Sequence, residues 1–205
     1  MKTPKTLDNG QIESFLRFIG LCPQPGRDKM LAVRNYCMTL FMLDAGLRVG
    51  EMVRLRQGDI FYAGVCVEHL TVRAEISKTK VERGVPMSPR LTLSCKEMHK
   101  IVWPSTTDQN AHFAFYNRNP HVHITERQVE RIIKAAGIAI GLLSVTPHVL
   151  RHTFATRVLK KSNIRVTQQL LGHKSIASTQ IYTHPDQDDR TNAIKAISEG
   201  NADGK

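Results

Sequence analysis

Apolar residues recur at helical spacing in several parts of the chain, and the longest such pattern lies in its first quarter. Between residues 28 and 43 this spacing predicts a largely buried helix that ends at Gly46. Asp8 is placed to cap a shorter amphipathic helix before it, which the proline- and glycine-containing segment 22–26 would end. Further helices are predicted at 48–55, 89–102, 125–137, 146–160, 166–171, 175–182 and 190–197.

A strand pattern interrupts these helices once. β-Branched residues between 65 and 86, together with Gly84, predict a small antiparallel sheet with Lys78-Thr79-Lys80 near a hairpin tip. Residues 113–116 are a further candidate, as an edge strand. The predicted fold class is therefore α+β, mainly α-helical with a small antiparallel sheet.

The chain is strongly basic. Its 29 lysines and arginines exceed its 18 aspartates and glutamates, which gives a formal net charge of +11. This excess suits a polyanionic partner such as nucleic acid, although charge alone leaves open a protein that is merely basic. No run of basic residues is typical of a disordered tail, so the charge is expected on folded surface.

The cysteines and the chain start indicate the compartment. Cys22, Cys37, Cys66 and Cys95 lie far apart without a CxxC pair, which indicates neither a zinc ribbon nor a disulfide framework. The first residues lack the apolar segment of a signal peptide, and no run of about 18 apolar residues occurs. We expect a soluble, cytoplasmic, nucleoid-associated protein with no membrane partner.

Other motifs point away from metals and cofactors. His112, His121 and His123 have no HExxH motif or cysteine partner, and loop histidines are the commoner interpretation. The chain has neither a Walker loop nor a dinucleotide fingerprint. No metal and no cofactor are expected.

A candidate anion site lies at one predicted helix start. Thr146 and Pro147 supply a capping hydroxyl and a first-turn proline, and His148 and Arg151 then share one face. Free backbone amides, a guanidinium and an imidazole would meet a phosphate there. Taken singly, His148 is more readily a helix-start histidine and Arg151 a surface ion pair.

Residues elsewhere in the chain favour the phosphate interpretation. Arg48 precedes a short predicted helix, His173 follows the helix-ending Gly172, and Tyr182 comes nine residues later. A tyrosine has a pKa of about 10, so it attacks phosphorus only beside a proton acceptor or a strongly positive surrounding. Histidines and arginines provide both. The other tyrosines are assigned to packing or surface: Tyr36, Tyr62 and Tyr116.

Four segments together resemble the tyrosine recombinase (phage integrase) family. They are Ala45-Gly46-Leu47-Arg48-Val49-Gly50-Glu51, Thr146-Pro147-His148-Val149-Leu150-Arg151-His152-Thr153, Leu171-Gly172-His173, and Thr179-Gln180-Ile181-Tyr182-Thr183-His184. The resemblance extends from about Asp28 to Thr183 and is most specific beyond Thr146. It implies the fold of a tyrosine recombinase catalytic domain.

The resemblance also implies residue roles. Tyr182 would be the nucleophile that forms a 3′-phosphotyrosyl linkage, with Arg48, Arg151 and His173 on the phosphate oxygens. His148 would act as general base. The remaining assignments are a general acid, Lys78; a second hairpin lysine contacting the DNA backbone, Lys80; an acidic residue that orients its neighbours, Glu51; and a histidine that supports its helix rather than touching phosphate, His152.

Partners and domains follow from the same resemblance. They are double-stranded DNA, further copies of the chain in a tetramer on DNA, and DNA-bending accessory proteins. The domains would be a short N-terminal helix or arm (1–27), the catalytic domain (28–185), and a C-terminal helix or tail exchanged between subunits (186–205). The short N-terminal part predicts either a minimal recombinase or a fragment that lacks a DNA-clamping domain.

Two rival functions stay open. A type IB topoisomerase uses the same chemistry to relax supercoils as a monomer, and a non-catalytic regulator could keep the fold only to bind DNA. The set from Arg48 to Tyr182 argues against the regulator, because a binder has no use for a tyrosine nucleophile. The residues decide neither the DNA site nor whether the outcome is integration, excision, inversion or resolution.

Overall fold

The computed structural model describes residues 5–21, 27–103, 108–183 and Thr191. Helices make up most of this part of the chain, and they occur in the order and near the positions that the spacing of apolar residues predicts. They are α1 (Asn9–Ile19), α2 (Arg27–Leu43), α3 (Val49–Val53), α4 (Gln57–Ile60), α5 (Pro89–Ile101), α6 (Glu126–Ala139), α7 (Pro147–Lys161), α8 (Ile164–Leu171) and α9 (Ala177–Gln180).

Two short antiparallel hairpins stand where one small sheet was predicted. Strands β1 (Phe61–Tyr62) and β2 (Val65–Cys66) form the first, and β3 (His69–Val72) and β4 (Arg83–Pro86) form the second. In the second hairpin Val72 pairs with Arg83, so residues 73–82 connect the strands and carry the two lysines of the predicted tip. The α+β class with few strands is confirmed.

The core is built around α2, which packs against α5 and α7. Met38, Leu40, Phe41 and Met42 on this helix are fully buried. The Phe41 ring meets Phe115 edge to face, with ring centroids 5.6 Å apart. This burial explains why α2 has the longest apolar pattern in the sequence.

Several predicted boundaries need correction. The edge strand at 113–116 is not a regular strand: Phe113 and Tyr116 make only isolated bridges, to Arg56 and His123. Helix α9 (Ala177–Gln180) is shorter than the predicted 175–182. The predicted helix at 190–197 falls outside the described residues except for Thr191.

One long-range contact joins the start of the described chain to α7. The backbone amide of Leu7 donates to Thr153 Oγ1 on α7 over 2.9 Å. Leu7 itself is buried, as are Ile12 and Phe15 on α1. The first helix is therefore packed into the same core as α7.

Neither a membrane-spanning helix nor a metal-binding cluster occurs among the described residues. Within the part of the chain that the structure describes, no helix combines the length and apolar character needed to cross a bilayer. The same residues contain no cluster of three or more side chains suited to holding a metal ion. Three cysteines, Cys37, Cys66 and Cys95, are buried free thiols.

Candidate active site

The carboxylate of Glu51 on α3 lies at the centre of the site and joins the three arginines around it. Its side chain is 1% exposed. Arg48 donates to it twice, through the backbone amide (2.9 Å) and through Nη1 (3.0 Å). Arg83 makes a two-pronged contact, Nη2 to Oε2 at 2.7 Å and Nη1 to Oε1 at 3.1 Å. Arg151 Nη1 lies 3.8 Å from Oε2.

These contacts keep Glu51 ionised in spite of its burial. Burial alone would raise the pKa of the carboxyl. The bonds and charge of Arg83, the amide of Arg48 and the charge of Arg151 outweigh it, so the pKa of Glu51 lies below its ordinary value. Three guanidiniums and one carboxylate leave the cluster net positive, which suits a phosphodiester.

The same arginines bind the C-terminal end of α8. Arg83 Nε donates to the carbonyl of Leu170 over 2.9 Å, and Arg151 Nη2 donates to that of Leu171 over 2.8 Å. Cations suit this end of a helix because its last carbonyls have no partner within the helix. Gly172 then ends α8 with φ +61°, as the sequence predicts, and His173 follows on the turn.

Arg151 is held almost entirely by backbone carbonyls. Besides Leu171, it donates from Nη1 to the carbonyl of Gly46, in the turn between α2 and α3. Burial, and then the charge of Arg48, lower the pKa of Arg151 to about 9, which still leaves the guanidinium protonated at neutral pH. The side chain is therefore a fixed cation that needs no reorientation to meet an anion.

His173 is neutral, and its contacts define its tautomer. Arg151 Nη2 lies 3.3 Å from Nε2, and Thr179 Oγ1 lies 3.0 Å from Nδ1. Because a guanidinium can only donate, Nε2 must accept and the proton sits on Nδ1, facing Thr179. Burial, followed by the charges of Arg151, Arg48 and Arg83, lowers the pKa of His173 to about 4.

Tyr182 contacts His152, one turn beyond His148 on α7. The Tyr182 Oη lies 2.6 Å from His152 Nδ1. Burial raises the pKa of Tyr182 above its ordinary value, and burial with the charges of His148 and Arg151 lowers the pKa of His152. These shifts favour a protonated Oη that donates to a neutral imidazole. This contact with Tyr182 goes beyond the helix-supporting role that the sequence predicts for His152.

The predicted residues line one open cleft of about 890 Å³. Arg48, Arg151, His173, Tyr182 and His148 all contribute to its wall, with His148 exposed on the first turn of α7. The hairpin supplies both lysine candidates and Ser77, whose Oγ lies 3.0 Å from Thr79 Oγ1. The structure thus brings together every site residue that the sequence predicts, from α3, β3–β4, α7 and α8–α9.

Sequence reasoning missed two residues of this cluster. Arg83 occurs in an ordinary strand pattern, and only its inward alternation beside Val85 could have indicated burial. Thr179, fully buried, carries no sequence signal beyond its place in the quoted segment. Both act on residues that were predicted, Arg83 on Glu51 and Thr179 on His173.

A match to the phage integrase family extends over residues 5–189, most of the chain. The chain belongs to this family. The predicted resemblance is thereby confirmed.

Relatives within the phage integrase family are tyrosine recombinases. XerA of Pyrococcus furiosus is 36% identical over 186 residues, covering 89% of this chain and 59% of the relative. XerD of Lacticaseibacillus casei is 33% identical over 184 residues, covering 88% and 58%. The chain therefore spans less than two thirds of the length of these relatives.

Solved structures of the family show the same fold. A crystal structure of XerA recombinase matches with a TM-score of 0.74 at 27% identity, over 96% of this chain and 66% of that one. XerH recombinase, crystallised with its difH substrate, matches with a TM-score of 0.73 at 24% identity, over 95% and 54%. The predicted fold, that of a tyrosine recombinase catalytic domain, is confirmed.

Proposed function

We propose that the chain cleaves and rejoins double-stranded DNA through a covalent bond to Tyr182. The Tyr182 oxygen attacks a scissile phosphorus, the bond to the 5′ oxygen breaks, and a 3′-phosphotyrosyl linkage and a free 5′ hydroxyl result. Because the linkage keeps the energy of the phosphodiester, a second 5′ hydroxyl reverses the step without ATP. The contact of Tyr182 with His152, in a cleft walled by Arg48 and Arg151, carries this proposal.

The arginine cluster would stabilise the charge that develops on phosphorus. Arg48 is only partly buried and faces the cleft, and Arg151 is fixed by carbonyls beside it. Fixed donors aimed at developing charge supply a large part of the acceleration in such sites, since no reorganisation accompanies the reaction. A bound phosphate would offset the charges of the arginines and raise the pKa of His173. A protonated His173 would then donate to the phosphate as well.

The proton of Tyr182 has a nearer acceptor than the one that the sequence indicates. His152 Nδ1 lies at hydrogen-bond distance from Oη and belongs to a neutral imidazole, so we assign it as general base. His148, exposed at the start of α7, would instead donate to a phosphate oxygen. Lys78 on the hairpin would protonate the departing 5′ oxygen, and Lys80 would contact the backbone.

Strand exchange between two duplexes needs four such sites, so the active form would be a tetramer on DNA, with DNA-bending proteins as accessory partners. XerA and XerD, named as recombinases, support recombination over relaxation. A two-site recombination assay run beside a plasmid relaxation assay separates the two activities. Relaxation without recombination would favour the topoisomerase alternative.

Tyr182→Phe tests the chemistry directly. It removes one oxygen, keeps most of the packing, and should abolish covalent adducts on a nicked suicide substrate while DNA binding stays nearly intact. Tyr62→Phe is the matched control, because Tyr62 is 78% exposed on the other hairpin. This variant should cleave DNA at the rate of the parent protein. An adduct formed by Tyr182→Phe, or one mapped by mass spectrometry to another tyrosine, would overturn the assignment.

A further inference from the structure

All three nitrogens of the Arg83 guanidinium donate hydrogen bonds. Its side chain is 6% exposed, and its guanidinium uses both Nη atoms on Glu51 and Nε on the carbonyl of Leu170. A planar guanidinium paired with a carboxylate at two points fixes both groups in orientation as well as distance. The contact therefore defines where the Glu51 carboxylate lies.

The place of Arg83 in the fold joins three parts of the site. It is the first residue of β4, directly after the connection that carries Lys78. Through Leu170 it is attached to the last turn of α8, just before His173. A Cβ added at Gly172 would lie 2.9 Å from Arg83 Cδ, so this turn packs directly onto the arginine.

Arg83 differs from the other two arginines in what it faces. Among the described residues, Arg48 and Arg151 line the large cleft and Arg83 does not. It lines a smaller hollow of about 310 Å³, with Gln168 and Lys174. A phosphate in the cleft would thus meet Arg83 only through the groups that it holds.

We propose that Arg83 is a positioning residue for the cleavage reaction: it sets Glu51, and through Glu51 the cleft-facing Arg48, and it ties the Lys78 hairpin to the turn that carries His173. The inference rests on the proposed function of the cleft. It adds a buried residue that acts on Glu51, the hairpin of Lys78 and the turn of His173 without touching DNA. The charge of Arg83 also helps to hold His173 neutral, together with Arg151 and Arg48 and against Glu51.

Arg83→Met tests this role, with Arg73→Met as the matched control. Arg73 also pairs with a carboxylate at two points, through Nε and Nη2 to Asp59 at 2.9 and 3.0 Å, in the same hairpin, and does not itself line the cleft. We expect Arg83→Met to slow adduct formation about 10- to 100-fold, as displacement of reacting groups by an ångström does, and Arg73→Met to leave the rate near that of the parent.

Two further measurements separate positioning from DNA contact and from simple structural support. The slope of log affinity against log salt should be unchanged in Arg83→Met, whereas loss of a phosphate contact lowers it by about one unit. NMR titration of His173 in protein without DNA should show its pKa raised in Arg83→Met and unchanged in Arg73→Met. Since this titration involves no cleavage, it stands even if the parent protein proves unable to cleave DNA.

The outcomes are distinct. A reduced salt slope would make Arg83 a phosphate ligand and overturn the proposal, as would an unchanged cleavage rate. Should Arg83→Met not fold, Arg83→Lys keeps the charge without the fork, and the same rate loss with unchanged binding is expected. If both variants fail to fold while Arg73→Met folds, Arg83 is a purely structural residue and the proposal is wrong.

Discussion

At the scale of single residues, two histidines on α7 have different surroundings. His148 and His152 are four positions apart, so they share a helix face, yet one is exposed at the first turn and the other lies against Tyr182. One turn of helix thus separates a group suited to meeting phosphate from a group suited to accepting the nucleophile's proton. The two roles can be assigned by testing each histidine alone.

The two hairpin lysines give the sharpest residue prediction. Lys78→Ala should reduce cleavage of ordinary DNA by about 10²- to 10⁴-fold, the usual contribution of a general acid. Replacing the bridging 5′ oxygen with sulfur should restore the rate, because a thiolate leaves without a proton. Gel assays of adduct formation on both substrates measure this.

Lys80→Ala is the control for that experiment, since Lys80 lies two residues away and lines the same cleft. It should weaken binding modestly and show no selective rescue by sulfur. If Lys80→Ala is rescued and Lys78→Ala is not, the two assignments must be exchanged.

Which residues could be predicted depends on how local their signal is. Distinctive motifs made four site residues predictable, and the structure places them in one cleft: Arg48, Arg151, His173 and Tyr182. Arg83 was not found, since its burial arises from a partner 32 positions away, which no local pattern records. The contact of His152 with Tyr182 was missed for the same reason.

At the scale of elements, helix starts were predicted well because their signals are contained within a few residues. Asp8 accepts from the amide of Gln11 at 2.8 Å, and Thr125 and Thr146 cap α6 and α7 in the same way. The end of α9 was predicted less well. Ile181 and Tyr182 form a turn, and Tyr182 is directed by packing against α7 rather than by helical periodicity.

The turn between α2 and α3 carries a prediction of its own. Gly46 has φ +61°, and an added Cβ would overlap the ring of Phe154 on α7. Gly46→Ala should therefore destabilise the fold by about 2 to 4 kcal/mol, combining left-handed strain with overpacking. Urea denaturation measures the loss.

Gly64→Ala isolates the backbone part of that effect. Gly64 has φ +79° but nothing within 4 Å of an added Cβ, so a loss of only about 1 kcal/mol is expected. Equal losses for the two variants would show that the contact with Phe154 contributes nothing. Because the carbonyl of Gly46 also accepts from Arg151, Gly46→Ala should slow cleavage in addition to its larger loss of stability.

At the scale of the whole molecule, the excess of basic residues should govern DNA affinity. The cleft wall contains Arg48, Arg54, Lys78 and Lys80 among its cations. About four phosphate contacts would release enough counterions to weaken binding roughly 100-fold between about 50 and 200 mM salt. Fluorescence anisotropy measures this, and an affinity that stays constant over that range would contradict electrostatic binding.

The bond from Leu7 to Thr153 has a consequence for synthesis of the chain. The ribosome releases Leu7 long before Thr153, and the partners Gly46 and Arg151 are separated almost as widely along the chain. An emerging chain cannot close its core, or gather its arginines around Glu51, until α7 and α8 have left the exit tunnel. A nascent chain would thus lack the assembled cleft, and with it the proposed cleavage activity, until these helices and Tyr182 had emerged.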